Sequence, residues 1–231
     1  MKEVILPAPF YSVLGCLEAR AITNFFGEPG AGKTNICMLA AISCIGNGGR
    51  VAYVDTEGGF SAERLKQLCP TKWPALLEKI ELLEPKSFRE QGMLVRSLDK
   101  KTVDLVIVDS MVALYRLEYC ESDIQSSKSD IMKANRELSK QVSVLSTLAR
   151  EKGIPVIITA HMFRNWDTGK TELVGGEALK YWSKVIVSVE KTGRTSERKA
   201  TIIKHRSLPE NSSVKFMITQ DGLKPSGFRI F

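Results

Sequence analysis

The sequence predicts an α/β protein: a mostly parallel central sheet flanked by helices, with an antiparallel extension at its C-terminal end. Three observations predict it. The stretch Gly27-Glu28-Pro29-Gly30-Ala31-Gly32-Lys33-Thr34 fits the pattern G-x-x-x-x-G-K-[ST] and lies between an apolar run, Ala21 to Phe26, and a helix-compatible run, Thr34 to Ile42. Further apolar, strand-sized runs recur at Val51 to Asp55, Leu105 to Asp109 and Val156 to Ala160, with helix-compatible segments among them. Three more, Lys184 to Glu190, Lys199 to His205 and Val214 to Thr219, are joined by turn-rich stretches and read as antiparallel neighbours.

At 231 residues and 43% hydrophobic content the chain can bury a full core, and residues 1–231 read as one domain. No window of about eighteen apolar residues offers a membrane span, and Met1 to Phe10 is too short and proline-broken for a signal core. A cytoplasmic protein without membrane contact is expected. Five cysteines (Cys16, Cys37, Cys44, Cys69, Cys120) form no C-x-x-C pair and are odd in number, which argues against a zinc knuckle and a disulfide framework. The net charge of +7 is uneven: Arg164 to Phe231 carries 13 Lys/Arg against 7 Asp/Glu, and the residues before it 20 against 19. That asymmetry suits an anionic partner such as nucleic acid; a solvated basic face is the alternative.

In the loop from Gly27 to Thr34 the glycines let backbone N–H groups turn inward and approach a polyphosphate, at the positive end of the helix that Asn35 continues. Lys33 is placed for the β- and γ-phosphates and Thr34 for magnesium. Gly46-Asn-Gly-Gly49 ends that helix, and Val51 to Asp55 follows as a buried strand. Glu57 stands at its C-terminal edge, where open α/β sheets bind ligands; it either polarises the water that attacks a γ-phosphate or caps the helix beginning near Ser61. Lys79 to Leu83 is a short third strand and Ser87 to Lys100 an amphipathic helix. Leu105-Val-Ile-Val-Asp109 has the Walker B form, whose acid holds magnesium through its water shell.

Glu118 to Ser127 reads as a polar loop, and Ser127-x-x-Asp130 as a capping box opening a helix whose stripe runs from Ile131 to Ala149, until Gly153 and Pro155 stop it. His161, at the end of the strand Val156 to Ala160, is either a strand-end hydrogen-bonder or a switch facing the nucleotide edge. Arg164 to Val174 reads as a polar loop ended by Gly175-Gly176.

GEPGAGKTNICMLAA, AYVDTEGGFSAERL, LVIVDSMVALYR and KHRSLPE, in this order and spacing, resemble the core of RecA-type recombinases, and the combination is most similar to the archaeal RadB family of recombinase paralogues. The resemblance covers nearly the full length and implies a RecA-like P-loop core that binds ATP with Mg2+, binds DNA and assists homologous recombination and repair. It further implies very weak ATPase activity without strand exchange. Implied partners are the main archaeal recombinase, a Holliday-junction resolvase and the D-family DNA polymerase. By position, Glu57 matches the family's catalytic glutamate and Arg64 the arginine that packs on adenine. The sequence also departs from full recombinases. Residues before Ile22 leave no room for a helix-hairpin-helix domain, Glu121 and Asp123 stand where a basic DNA loop is usual, Arg164 to Val174 is shorter than the second DNA loop, and His161 replaces a glutamine.

Two functions of different kinds follow: a DNA-binding, ATP-dependent recombination accessory protein, or a regulatory ATPase of the RecA superfamily acting on proteins. For the first, Arg164, Lys170, Arg194, Arg198 and Lys199 are the candidate contacts to single-stranded or branched DNA, without sequence preference. Lys204 and Arg206, read as alternating along a strand, lie near the paired basic residues that reach a neighbouring subunit's γ-phosphate in RecA-like assemblies, and the resemblance makes them candidates for that role in a homo-oligomer. Addition to the DNA-binding charge is the alternative.

Overall fold

The computed structural model describes residues 3–120, 128–164 and 171–226. Strand β1 (Ile22–Gly27) is central, followed by α2 (Lys33–Gly46), β2 (Val51–Asp55), α3 (Ala62–Leu68), α4 (Trp73–Leu77), β3 (Ile80–Leu83) and α5 (Phe88–Ser97). β4 (Leu105–Asp109), α6 (Ala113–Cys120), α7 (Lys128–Lys152), β5 (Val156–Arg164), β6 (Thr171–Leu173) and α8 (Gly176–Trp182) come next. β7 (Val185–Lys191), β8 (Glu197–Lys204), β9 (Ser213–Thr219) and β10 (Gly222–Pro225) complete the chain, and α1 (Ala8–Leu14) precedes it all.

The sheet runs β10-β9-β8-β7-β1-β5-β4-β2-β3, with β6 paired to the end of β5. From β7 to β3 all neighbours are parallel; β8, β9 and β10 extend the sheet antiparallel. This is the predicted α/β class.

Side chains alternate between faces along a strand, and here both faces of the parallel part are covered. Val51, Tyr53, Leu105, Ile107 and Ile157 join one core with α1 and α2, while Ala52, Val54, Val106, Val108 and Ile158 join the other with α5 and α7. Each of these strands is therefore apolar at nearly every position. The stripe predicted on the long helix is buried as expected from Ala134 through Leu138, Val142 and Leu145 to Ala149, although Ile131 is half exposed.

Several elements escaped the sequence. Helix α1 is short and carries proline in its first turn, where the missing N–H costs nothing, and it seats Phe10 against Phe25 and Phe216. Strand β6 lies inside the expected polar loop and pairs Met162 to Leu173; its backbone ladder needs no apolar pattern. Helix α6 continues to Cys120, past the expected loop start at Glu118, while the capping box at Ser127 lies outside the described residues. Strand β8 stops at Lys204, one residue short of the reading, because His205 accepts the backbone N–H groups of Ser207 and Leu208 at Nδ1 and turns the chain out of the ladder.

One close approach sets the register of the phosphate loop against the sheet. A Cβ added to Gly27 would lie 2.0 Å from the Val189 carbonyl oxygen of β7, so no side chain fits without moving backbone. Gly27→Ala is expected to cost about 3 kcal/mol, at the top of the range for overpacked cores. A urea titration checks it: the midpoint should fall with an unchanged slope, and an unmoved midpoint would show the loop free to shift.

Candidate nucleotide-binding site

The loop from Gly27 to Thr34 joins β1 to α2 at the C-terminal end of the parallel strands. Gly30 and Gly32 have φ of 73° and 100°, the left-handed region that lets successive N–H groups face one concavity. Lys33 is 7% exposed, and its ammonium donates to the Gly27 carbonyl at 2.9 Å and the Glu28 carbonyl at 3.1 Å. Burial lowers its pKa, against the opposing pull of Asp109 and Glu57. An anion entering the loop would meet a desolvated cation already at its centre.

Asp109 ends β4 almost fully buried. Tyr53 of β2 donates its hydroxyl to Oδ2 at 2.9 Å, and Thr159 of β5 donates to Oδ1, so three adjacent strands meet at one carboxylate. Burial raises its pKa; bonds from Thr159, Thr34 and Tyr53 offset only part of that cost. Glu57 lies in the turn after β2, which the Asp55 carboxylate organises by accepting the N–H groups of Glu57, Gly59 and Phe60. Capping is not the role of Glu57, because Ser61 caps α3 by accepting from the Arg64 N–H. Glu57 Oε1 instead lies 2.6 Å from His161 Nε2. Burial alone pushes the Glu57 carboxyl up, but hydrogen bonds from His161 and Ser110 and the charge of Lys33 prevail and hold it below the usual range. It is an ionised carboxylate at the mouth of the site.

These groups line one cleft of about 470 Å³ that holds Pro29, Gly30, Gly32, Lys33, Thr34, Asn35, Glu57, Asp109 and His161 on one side. Ser196, Arg198 and Ile218 of the antiparallel extension form the other. A cavity of similar size between α5 and α7, about 440 Å³, shares none of these residues. Among the described residues no group of three or more His, Cys, Asp or Glu converges as a metal site, so a cation here would rest on Thr34, Asp109, water and ligand oxygens. That is how magnesium is usually held beside a phosphate.

Arg64 stands one residue away from the cleft. Its guanidinium donates to Asn35 Oδ1 at 2.7 Å and to the carbonyls of Thr219 and Gln220 at 2.9 and 2.8 Å. Glu28 and Ala31 complete the loop, the first accepting the N–H of Lys191, the second fully buried.

The basic candidates do not form one patch. Arg194 is exposed in the β7–β8 turn, and Lys199 faces Glu190 and Lys215 across the ladder, whereas Arg198 projects from the opposite face to the phosphate loop. The side chain of Arg164 and the whole of Lys170 lie outside the described residues. Lys204 donates to the carbonyls of Lys180 and Ser183 at the end of α8, and Arg206 approaches Glu18 at 3.4 Å. The alternation expected of this pair fails because the strand ends between them. Both sit near the start of β7, the end of the sheet away from their own cleft.

Tyr53, Thr159, Ser196 and Ile218 are site residues that sequence reasoning does not single out. A hydroxyl within each of two otherwise apolar strands is the available signal for the first two; nothing local marks the others.

Fold and site together define a RecA-like α/β protein whose glycine-rich loop borders a cleft at the C-terminal ends of the parallel strands. The sequence pattern of the Rad51 family matches residues 10–226. A DNA repair and recombination protein RadB from Methanococcoides burtonii is 39% identical over 97% of this chain and 99% of its own length, and one from Methanococcus maripaludis strain C5 is 41% identical over 91% and 94%. The crystal structure of a RadB recombinase superposes with a TM-score of 0.77 at 31% identity, covering 94% of this chain and 96% of that one. The chain belongs to the Rad51 family, in its RadB group of DNA repair and recombination proteins.

The raised pKa of Asp109 links function to stability. The folded chain binds this proton at a higher pH than the unfolded chain does, so the cost of the charge is complete above the folded value and is relieved as pH falls through it. Asp109→Asn should therefore melt higher than wild type at pH 7 without ligand, by about 2–4 °C for each kcal/mol recovered, and the gain should shrink in acid. Thermal scans from pH 4 to 7 check this; a lower melting point at pH 7 would contradict it.

Proposed function

We propose that the cleft binds ATP with Mg2+ and that the chain is a DNA-binding accessory protein of recombination and repair, with weak ATPase activity and no strand exchange of its own. The observation that carries this is the convergence of Lys33, Thr34, Asp109 and Glu57 on one cleft at the C-terminal ends of the parallel strands. Lys33 would answer phosphate charge, Thr34 and Asp109 would hold the magnesium shell, and Asn35 with Arg64 would border the base. Magnesium, when bound, neutralises phosphate oxygens. Glu57 is ionised and open enough to orient a water, sharing its oxygen with His161.

The family supports DNA and the recombination machinery as partners; the main archaeal recombinase, a Holliday-junction resolvase and the D-family polymerase are the specific candidates. Work in the cytoplasm fits this reading, and among the described residues no helix is long and apolar enough to cross a membrane. Lys204 and Arg206 cannot serve the cleft of their own chain, so their proposed role at a γ-phosphate requires a neighbouring copy.

Lys33→Ala is expected to lower Mg-ATP affinity by orders of magnitude in calorimetry, because the loop loses its buried cation. Mixed with Arg206→Ala it should restore turnover above the sum of the two variants if the finger acts between chains. Unchanged affinity in Lys33→Ala sinks the site assignment, and no recovery in demonstrated mixed assemblies sinks the shared site.

A mobility-shift series with single-stranded DNA should show affinity falling steeply with salt, and reversing the charges of Arg194 and Lys199 should flatten the slope by about one unit for each DNA phosphate that is no longer neutralised. No shift at any salt would favour the regulatory ATPase acting on proteins.

A further inference from the structure

Arg198 is the one lysine or arginine of the basic C-terminal third that lines the cleft among the described residues. Its neighbours on β8 explain how it gets there. Glu197 turns inward to Thr192 and Ser226, Lys199 faces Glu190 and Lys215, and the alternation of the strand sends Arg198 the other way, over the phosphate loop.

There its Nε and Nη2 donate to the Gly30 carbonyl at 3.3 and 3.0 Å, and its Nη1 donates to the Glu197 carbonyl at 2.9 Å. A loop that turns its N–H groups toward a ligand turns carbonyls outward, and Arg198 satisfies one of these. The remaining N–H groups of the fork are uncommitted among the described residues. So is its charge: the adjacent Lys191 has Glu28 at 3.9 Å, but no carboxylate lies within ion-pairing distance of Arg198 among the described residues. Arginine cannot shed its proton to relieve this. Two cations, Arg198 and the buried Lys33, thus border one cleft that is shaped for an anion.

We propose that Arg198 is a phosphate-binding residue of the nucleotide site in its own chain, giving its free N–H groups to a phosphate oxygen while the others hold Gly30. This rests on the reading of the cleft as an ATP site and removes Arg198 from the DNA-contacting set. It also gives the β7–β8 hairpin a direct link to nucleotide occupancy.

The test is calorimetric titration of Mg-ATP, without DNA, into wild type, Lys33→Ala, Lys215→Ala, Arg198→Ala and Arg198→Gln, each checked for folding by circular dichroism. Charge-assisted bonds to phosphate predict a loss of roughly 10- to 100-fold in both Arg198 variants, and none in Lys215→Ala, whose side chain is exposed on β9. Glutamine can still donate to Gly30 without carrying charge. Wild-type affinity in Arg198→Gln would therefore reduce the residue to a loop support and overturn the proposal, even if alanine at this position disturbed the fold. Wild-type ATP affinity together with weakened DNA affinity in Arg198→Ala would overturn it too, returning the residue to the DNA set. A wild-type protein that takes no ATP would fail the broader reading instead, which the unmutated titration shows by itself.

Discussion

The buried carboxylate of Asp109 is the constraint on which the site and the centre of the sheet both depend. A charge in that position needs hydrogen bonds from every side, and the hydroxyls of Tyr53 and Thr159 supply them from the strands flanking β4. The supply is incomplete, as the raised pKa shows. A bound cation would complete it, so whatever ligand brings the cation also stabilises the fold, through ordinary linkage between binding and folding. The same burial that weakens the unliganded chain would strengthen its hold on a cation bound there.

The antiparallel extension is more than an edge of the sheet. Val189 leaves no room for a side chain at Gly27, Ile218 comes within 2.7 Å of where a Gly32 Cβ would sit, and Arg198 holds Gly30. Arg64 reaches the turn between β9 and β10 through two carbonyls. The phosphate loop is thus clamped between its own helix and strands that arrive at the end of the chain. Lys204 and Arg206, at the opposite end of those strands, are engaged with α8 and Glu18.

His161 gives the Glu57 side of the cleft a second tether. Its contact to Glu57 connects β5, at the position paired with Gly27 of β1, to the turn after β2. Its Nδ1 is buried without a hydrogen-bond partner among the described residues, so the contact to Glu57 is the ring's one hydrogen bond there. The two residues are 104 positions apart, and each is a candidate for a different reason; their contact is what makes them one unit.

By itself the sequence determined the phosphate loop, the acids ending β2 and β4, the parallel strands and the family. These are matters of local spacing: a turn that needs glycine, a helix N-terminus beside it and apolar runs of strand length are written in consecutive residues. The tertiary structure decided what meets across the sheet. Tyr53 and Thr159 became partners of Asp109 because strand order sets β2 and β5 on either side of β4, an arrangement no local pattern encodes. Strand β6 and helix α8 stayed illegible because backbone pairing and a left-handed Gly175, rather than apolar spacing, define them. Arg198 and Lys199 are adjacent in the chain and alike in charge, yet face the phosphate loop and the open sheet respectively, because the pleat of β8 turns consecutive side chains to opposite faces.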